Sequence, residues 1–125
     1  KGITVVCAAG NDSGAVNYPA KYAETIGVSA TTSSDAIAYF SSRGPEIDFA
    51  APGYNIYSTY KDGKYKTMSG TSMACPHVAG LAALAVSLGH TSPAEVKEAL
   101  TKASIDIGLE PNLQGKGLIQ AGMIK

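Results

Sequence analysis

Ile3 to Ala9 is a nearly continuous apolar run rich in β-branched residues, and it stops abruptly at Gly10-Asn11-Asp12. Apolar residues at successive positions leave no face for water, which suits a strand buried on both faces of a parallel sheet with a loop opening at its C-terminal end. A second strand is expected at Thr25 to Ala30, between a polar segment holding Tyr18-Pro19 and a Thr31 to Asp35 turn cluster. Shorter extended pieces fall at Ile47 to Ala50, Ile56 to Tyr60 and Tyr65 to Met68, punctuated by Gly44-Pro45, Pro52-Gly53 and Asp62-Gly63. The last two pieces are placed to form a hairpin.

The period then changes. From about Ser72 to Leu88 the chain is dominated by Ala, Val, Leu and Gly on nearly every side, as in a helix enclosed by a core rather than lying on its surface. Ser92-Pro93-Ala94-Glu95 is a capping box with proline at the first helical position, followed by Val96, Ala99, Leu100 and Ala103 at helical spacing. That second helix is amphipathic and structural. Gly115-Lys116-Gly117 and a short apolar ending, Leu118 to Ile124, complete a chain without repeats or low-complexity segments. The fold class is α/β.

Bulk properties exclude several functions. With 45% hydrophobic and 16% charged residues in 125, the chain has the composition of one globular unit or part of one. Ten basic residues balance ten acidic ones, so no net field attracts nucleic acid or an anionic membrane surface. No apolar run reaches the roughly 18 to 20 residues of a membrane span. Lys1 to Val6 lacks the features of a secretory signal, so any targeting peptide is expected upstream or absent. Cys7 and Cys75 have no metal-ligand spacing. They read either as buried free thiols or, if the fold joins their two segments, as neighbours close enough to bond.

Gly70-Thr71-Ser72-Met73-Ala74 puts a serine where a glycine-bearing turn meets a helix. Backbone N–H groups and the positive end of the helix dipole then face whatever reacts at the hydroxyl. The competing reading is a plain helix N-cap. A nucleophilic serine needs a general base, normally a histidine oriented by a carboxylate. His77 lies on the same helix about 140° around the axis from Ser72, and His90 near its far end, so both histidines read as structural. An α/β-hydrolase arrangement is excluded by chain order, since no histidine follows Asp106 or Glu110. The base must come from residues outside this chain, or there is none.

Gly70-Thr71-Ser72-Met73-Ala74-Cys75-Pro76-His77-Val78-Ala79-Gly80 closely resembles the serine motif of the subtilisin-like proteases, and Ala8-Ala9-Gly10-Asn11 resembles their oxyanion-hole motif. The likeness extends through Tyr18 to Tyr22, Phe40 to Glu46, Ala51-Pro52-Gly53 and Gly115 to Ile119, covering essentially the whole chain. It implies residues 1–125 as the C-terminal portion of a subtilisin-like peptidase domain, part of a three-layer fold with a mostly parallel sheet. It implies a serine endopeptidase acting through an acyl-enzyme at Ser72, with the Asn11 side chain and the Ser72 N–H as donors to the oxyanion. Substrate-binding positions carried over with the motifs are Ala8, Ala9, Gly10, Asn17, Gly70 and Thr71.

No cofactor is implied for catalysis. A structural Ca²⁺ or Na⁺ is, held by carbonyls of Ala20, Tyr22 and Thr25 and carboxylates of Glu46 and Asp48, an oxygen-only set suited to such ions. The partners implied are a protein or peptide substrate and the N-terminal part of the catalytic domain, which in the family carries the aspartate and histidine. Family habit favours an exported enzyme, although intracellular members exist. The isolated chain is expected to fold poorly and to lack peptidase activity, since nothing in it can deprotonate Ser72. The alternative is a subtilase-like scaffold that binds peptides without cutting them.

Overall fold

The computed structural model describes all 125 residues. The Ile3 run yields a short strand, β1 (Val6–Ala8), followed by β2 (Ile26–Thr31), β3 (Ile47–Pro52), β4 (Ile56–Tyr60) and β5 (Lys64–Met68). Two helices follow, α1 (Thr71–Ser87) and α2 (Pro93–Lys102), then β6 (Ser104–Ile105), α3 (Pro111–Gln114), β7 (Leu118–Ile119) and a 3-10 turn at Ala121–Met123. The main sheet has the order β1-β2-β3-β7-β6, parallel except between β6 and β7, and β4 with β5 forms the expected antiparallel hairpin.

Residue alternation sorts the sheet's two faces. Val28, Ala30, Phe49 and Ala51 point to one side, where they pack with Ala74, Val78, Ala82 and Ala85 of α1 and Val96, Ala99 and Leu100 of α2 in the larger core. A smaller core on the other side gathers Cys7, Ala9, Val16, Ala20 and Ile47. There the covering layer is the 12–25 loop and α3, to which Ser29 is tied by its hydroxyl donating to the Leu113 carbonyl at 2.6 Å. The architecture is that of a partial three-layer α/β fold.

α1 differs from expectation in its surroundings. Its apolar residues are not enclosed all round: Ala74, Val78, Ala82 and Ala85 are buried, whereas Leu84, Val86 and Leu88 are 41%, 47% and 52% exposed. The reason is that the sheet and α2 pack against one face only, and no element of this chain covers the other. α2 is as the sequence implied. The Ser92 hydroxyl accepts from Glu95 N at 3.2 Å while Glu95 Oε2 accepts from Ser92 N and Thr91 N at 2.9 and 3.0 Å. Those backbone donors hold the Glu95 carboxyl below its usual value. Ser92→Ala should cost about 1 kcal/mol of stability, read as a lowered unfolding midpoint in the complete protein.

Candidate active site

Three chain segments meet at the carboxyl ends of the parallel strands, the edge where open α/β sheets place their ligands. From β1 comes Gly10-Asn11, from β3 comes Gly53, and from the start of α1 come Gly70, Thr71 and Ser72. Gly53 N donates to the Thr31 carbonyl at 3.0 Å and Gly70 N to the Gly53 carbonyl at 2.8 Å, so the turn before α1 is stitched to the strand ends. Only glycine fits at 53: a Cβ there would sit 2.6 Å from the Ala30 Cβ and 2.8 Å from the Gly70 carbonyl oxygen.

Ser72 is not the cap of α1. That position is Gly70, which has no side chain to cap with, and Ser72 is the second helical residue, exposed and with no hydrogen-bond partner for its hydroxyl. Its own N–H is likewise one of the orphan donors of a helix N-terminus. The N-cap reading of this serine is therefore replaced by one in which both its hydroxyl and its N–H are open.

Asn11 is fixed by its neighbour in space. Its Oδ1 accepts from Thr71 N and from Thr71 Oγ1, both at 2.9 Å, which turns the Nδ2 amide away from that anchor. A carbon built on Gly70 would lie 3.6 Å from Asn11 Nδ2 and 3.7 Å from Ser72 N, so the two donors converge on one small space over Gly70. Met73 Sδ borders the same point at 3.6 Å. The Ser72 N–H at the helix start and the Asn11 amide at the strand tip thus border the same point.

The residues expected to line a substrate groove divide into two sorts. Asn17 is exposed, Gly10 half-buried and Gly70 buried; Asn17 packs so closely on Gly10 that a Cβ at that glycine would collide with its amide, and Asn17 Nδ2 donates to Asp12 Oδ2 at 2.7 Å. Ala8 is half-buried beside them. Ala9 and Thr71, by contrast, are inside. The Ala9 side chain is fully buried in the smaller core. Thr71 is buried too, its hydroxyl donating to Asn11 and accepting from Gly10 N at 3.2 Å. Thr71 positions Asn11 from beneath the groove and does not face it.

A second positioning residue escaped the sequence reading. Ser42 N donates to the Gly10 carbonyl at 2.8 Å, Ser42 Oγ accepts from Asp12 N at 3.3 Å, and Arg43 N donates to the Gly14 carbonyl at 2.8 Å. The Phe40 to Gly44 segment thereby brackets the Asn11 loop. Its local signal was a turn, and nothing in a turn says which loop it will support.

Both histidines are structural. His77 Nδ1 pairs with the Met73 carbonyl one turn earlier at 2.8 Å, and His90 Nε2 with the Lys125 carbonyl at 2.6 Å. Pro76 lies inside α1, and its missing N–H leaves the Ser72 carbonyl without the usual partner four residues on. Beside Ser72 an open depression of about 400 Å³ is lined by Ile56, Tyr57, Met73, Pro76 and His77. A larger cavity, about 720 Å³, lies at the other end of the molecule around His90, Glu95, Glu98 and Lys102, remote from the serine. The two cysteines are free: Cys7 is buried, and the Cys75 Sγ contacts the Val6 carbonyl at 3.5 Å. Burial, and secondarily the neighbouring Cys7, push the Cys75 thiol above its ordinary value.

The five residues expected to hold a cation are also brought to one locus. A cavity of about 270 Å³ is lined by Tyr22, Thr25, Glu46 and Asp48 and, unforeseen in the sequence, by Lys97 of α2, while the Ala20 carbonyl lies 3.4 Å from the Thr25 hydroxyl.

A mostly parallel α/β sheet thus carries a serine at the start of a helix and an asparagine amide at a neighbouring strand tip. The chain belongs to the subtilase family, whose match covers residues 1–118. It is 47% identical over 124 residues to subtilisin DY of Bacillus licheniformis, covering 94% of this chain and 45% of that protein. It is 44% identical over 119 residues to halolysin of Haloferax mediterranei, with 94% of this chain and 23% of that protein covered. It is 44% identical over 128 residues to the minor extracellular protease Epr of Bacillus subtilis, covering 96% of this chain and 19% of that protein. The chain thus spans less than half the length of these relatives. No helix is long and apolar enough to cross a membrane.

Proposed function

We propose that this chain is the nucleophile-bearing part of a serine endopeptidase, and that the complete protein cleaves peptide bonds through an acyl-enzyme on Ser72. The observation that carries the reading is the convergence of Asn11 Nδ2 and Ser72 N on one point over Gly70, beside an unpartnered serine hydroxyl. Two donors aimed at a space that a carbonyl oxygen enters only after attack stabilise the transition state more than the bound substrate. The positive end of α1, seventeen residues long, adds to the same charge.

The general base is the part this chain lacks. His77 has its Nδ1 engaged with Met73, on a helix that holds it away from the serine, and no carboxylate orients it. Histidine and aspartate are therefore assigned to the upstream part of the domain, which would also cover the exposed apolar face of α1 and add strands to the free edge of β1. The substrate class is protein or peptide. Export fits the printed description of Epr as extracellular.

A fluorophosphonate probe tests the proposal. The complete protein should form one adduct, mapped to Ser72 by mass spectrometry and absent from Ser72→Ala, while the isolated chain should label no faster than a denatured control. A folded complete protein that binds peptides yet forms no adduct would favour the non-cutting scaffold instead.

A further inference from the structure

Asp48 occupies an unusual place in the sheet. The register between β2 and β3 slips between Gly27 and Val28, which pair with Ile47 and Phe49, so Asp48 is the extra residue of a bulge. Its side chain repairs the ladder that the bulge interrupts: Asp48 Oδ2 accepts from Gly27 N at 2.9 Å. The other oxygen meets an ammonium. Lys97 Nζ lies 2.6 Å from Asp48 Oδ1, with the carboxylate only 19% exposed.

Two carbonyls of this locus are also engaged. The Tyr22 carbonyl accepts from Thr25 N at 3.1 Å and from Thr25 Oγ1 at 2.9 Å, and the Ala20 carbonyl receives the same hydroxyl at 3.4 Å. A calcium ion asks for 6 to 8 oxygens at roughly 2.3–2.6 Å. No three His, Cys, Asp or Glu side chains lie close enough together to hold a metal. The positive charge that would balance Asp48 is already there, supplied by a residue of α2. A metal ion placed at Asp48 would have to displace that ammonium or bear its repulsion at short range.

We propose that Lys97 serves as a built-in cation, replacing at the Ala20, Tyr22, Thr25, Glu46 and Asp48 locus the Ca²⁺ or Na⁺ that the oxygen set would otherwise bind. The ammonium does for the bulge what an ion would do, and ties α2 to β3 as well. The bulge is consequently held at any concentration of free cation. This inference is independent of the peptidase reading, because it concerns the amino-terminal ends of β2 and β3 and not Ser72.

The test is a calcium count on the complete protein, made by equilibrium dialysis and by the melting midpoint in chelator against millimolar calcium. Lys97→Gln should bind one more equivalent of calcium than the unmodified protein and gain a calcium-dependent rise in midpoint that the unmodified protein lacks. Adding Asp48→Asn to that variant should abolish both gains, and Lys97→Arg should show neither. A Lys97→Gln protein that folds only when calcium is supplied supports the proposal equally. Two results overturn it: loss of one bound calcium or sodium from the otherwise unmodified protein on Asp48→Asn, or a folded Lys97→Gln protein with no added equivalent.

Discussion

Gly70→Ala in the complete protein should lower kcat by about 10²–10³-fold while leaving KM nearly unchanged and lowering the melting midpoint only modestly, a loss of activity like that known for removing the oxyanion-hole asparagine of subtilisin. Space decides this outcome. The nearest atoms to a Cβ at Gly70 are Asn11 Nδ2, Met73 Sδ and Ser72 N at 3.6 to 3.7 Å, ordinary contact distances, so the cost to the fold is the backbone strain of φ +158° and not a clash. An oxyanion, however, must lie about 2.7–3.1 Å from both donors, and the methyl would take that volume. Asn11→Asp should produce a comparable loss by a different route, since its Oδ1 can still accept from Thr71 while the N–H is gone. The two substitutions together should fall no further than the worse one, because each removes the same stabilisation. Steady-state kinetics on a peptide ester and the matching amide give the numbers. A Gly70→Ala protein with kcat near that of the unmodified enzyme would remove the oxyanion site from the place assigned to it.

Much of this site could be read from the sequence because its parts are local. The β-branched run ending at Gly10-Asn11 and the small-residue helix beginning after Gly70 are each visible in a few residues; the helix starts where expected, while only Val6–Ala8 of the run forms strand and Ile3 and Val5, at the uncovered edge, stay exposed. The capping box at Ser92 was legible for the same reason. What joins the parts was not. Thr71 reads as a residue next to a nucleophile, and only the fold shows that it reaches back 60 positions to hold Asn11. Lys97 reads as one solvent-facing lysine of an amphipathic helix; its partner Asp48 lies 49 positions earlier, in a bulge that no periodicity announces. β6 and β7, two residues each, are too short to carry a period at all. The exposure of α1 was misjudged because composition gives a helix's polarity on every side without saying which sides this chain can cover.

The largest effect on stability should come from beside the sheet's central strand, where Gly115→Ala is expected to cost roughly 3–5 kcal/mol, strain and overpacking combined. Gly115 has φ +60° and lies flat against β3: a Cβ there would collide with the Asp48 carbonyl and approach the Ile47 carbonyl oxygen to 2.6 Å. All three crowding atoms belong to backbone, which cannot swing aside as a side chain would. The strand itself would have to move, and with it the Lys116 N–H donated to the Asp48 carbonyl at 2.8 Å and the antiparallel bridge from Gly115 to Phe49. Gly63→Ala separates the two causes. Gly63 has φ +68° but nothing within 4 Å of the added carbon, so it carries the conformational penalty alone, about 1 kcal/mol. Unfolding midpoints of the two variants, measured in a Ser72→Ala background to prevent self-digestion, should therefore differ severalfold in their displacement. Equal displacements would mean that β3 yields to the methyl. The bulge at Asp48 would then be a soft part of the sheet rather than a rigid one, and a lysine clamping it from α2 would have correspondingly more to hold.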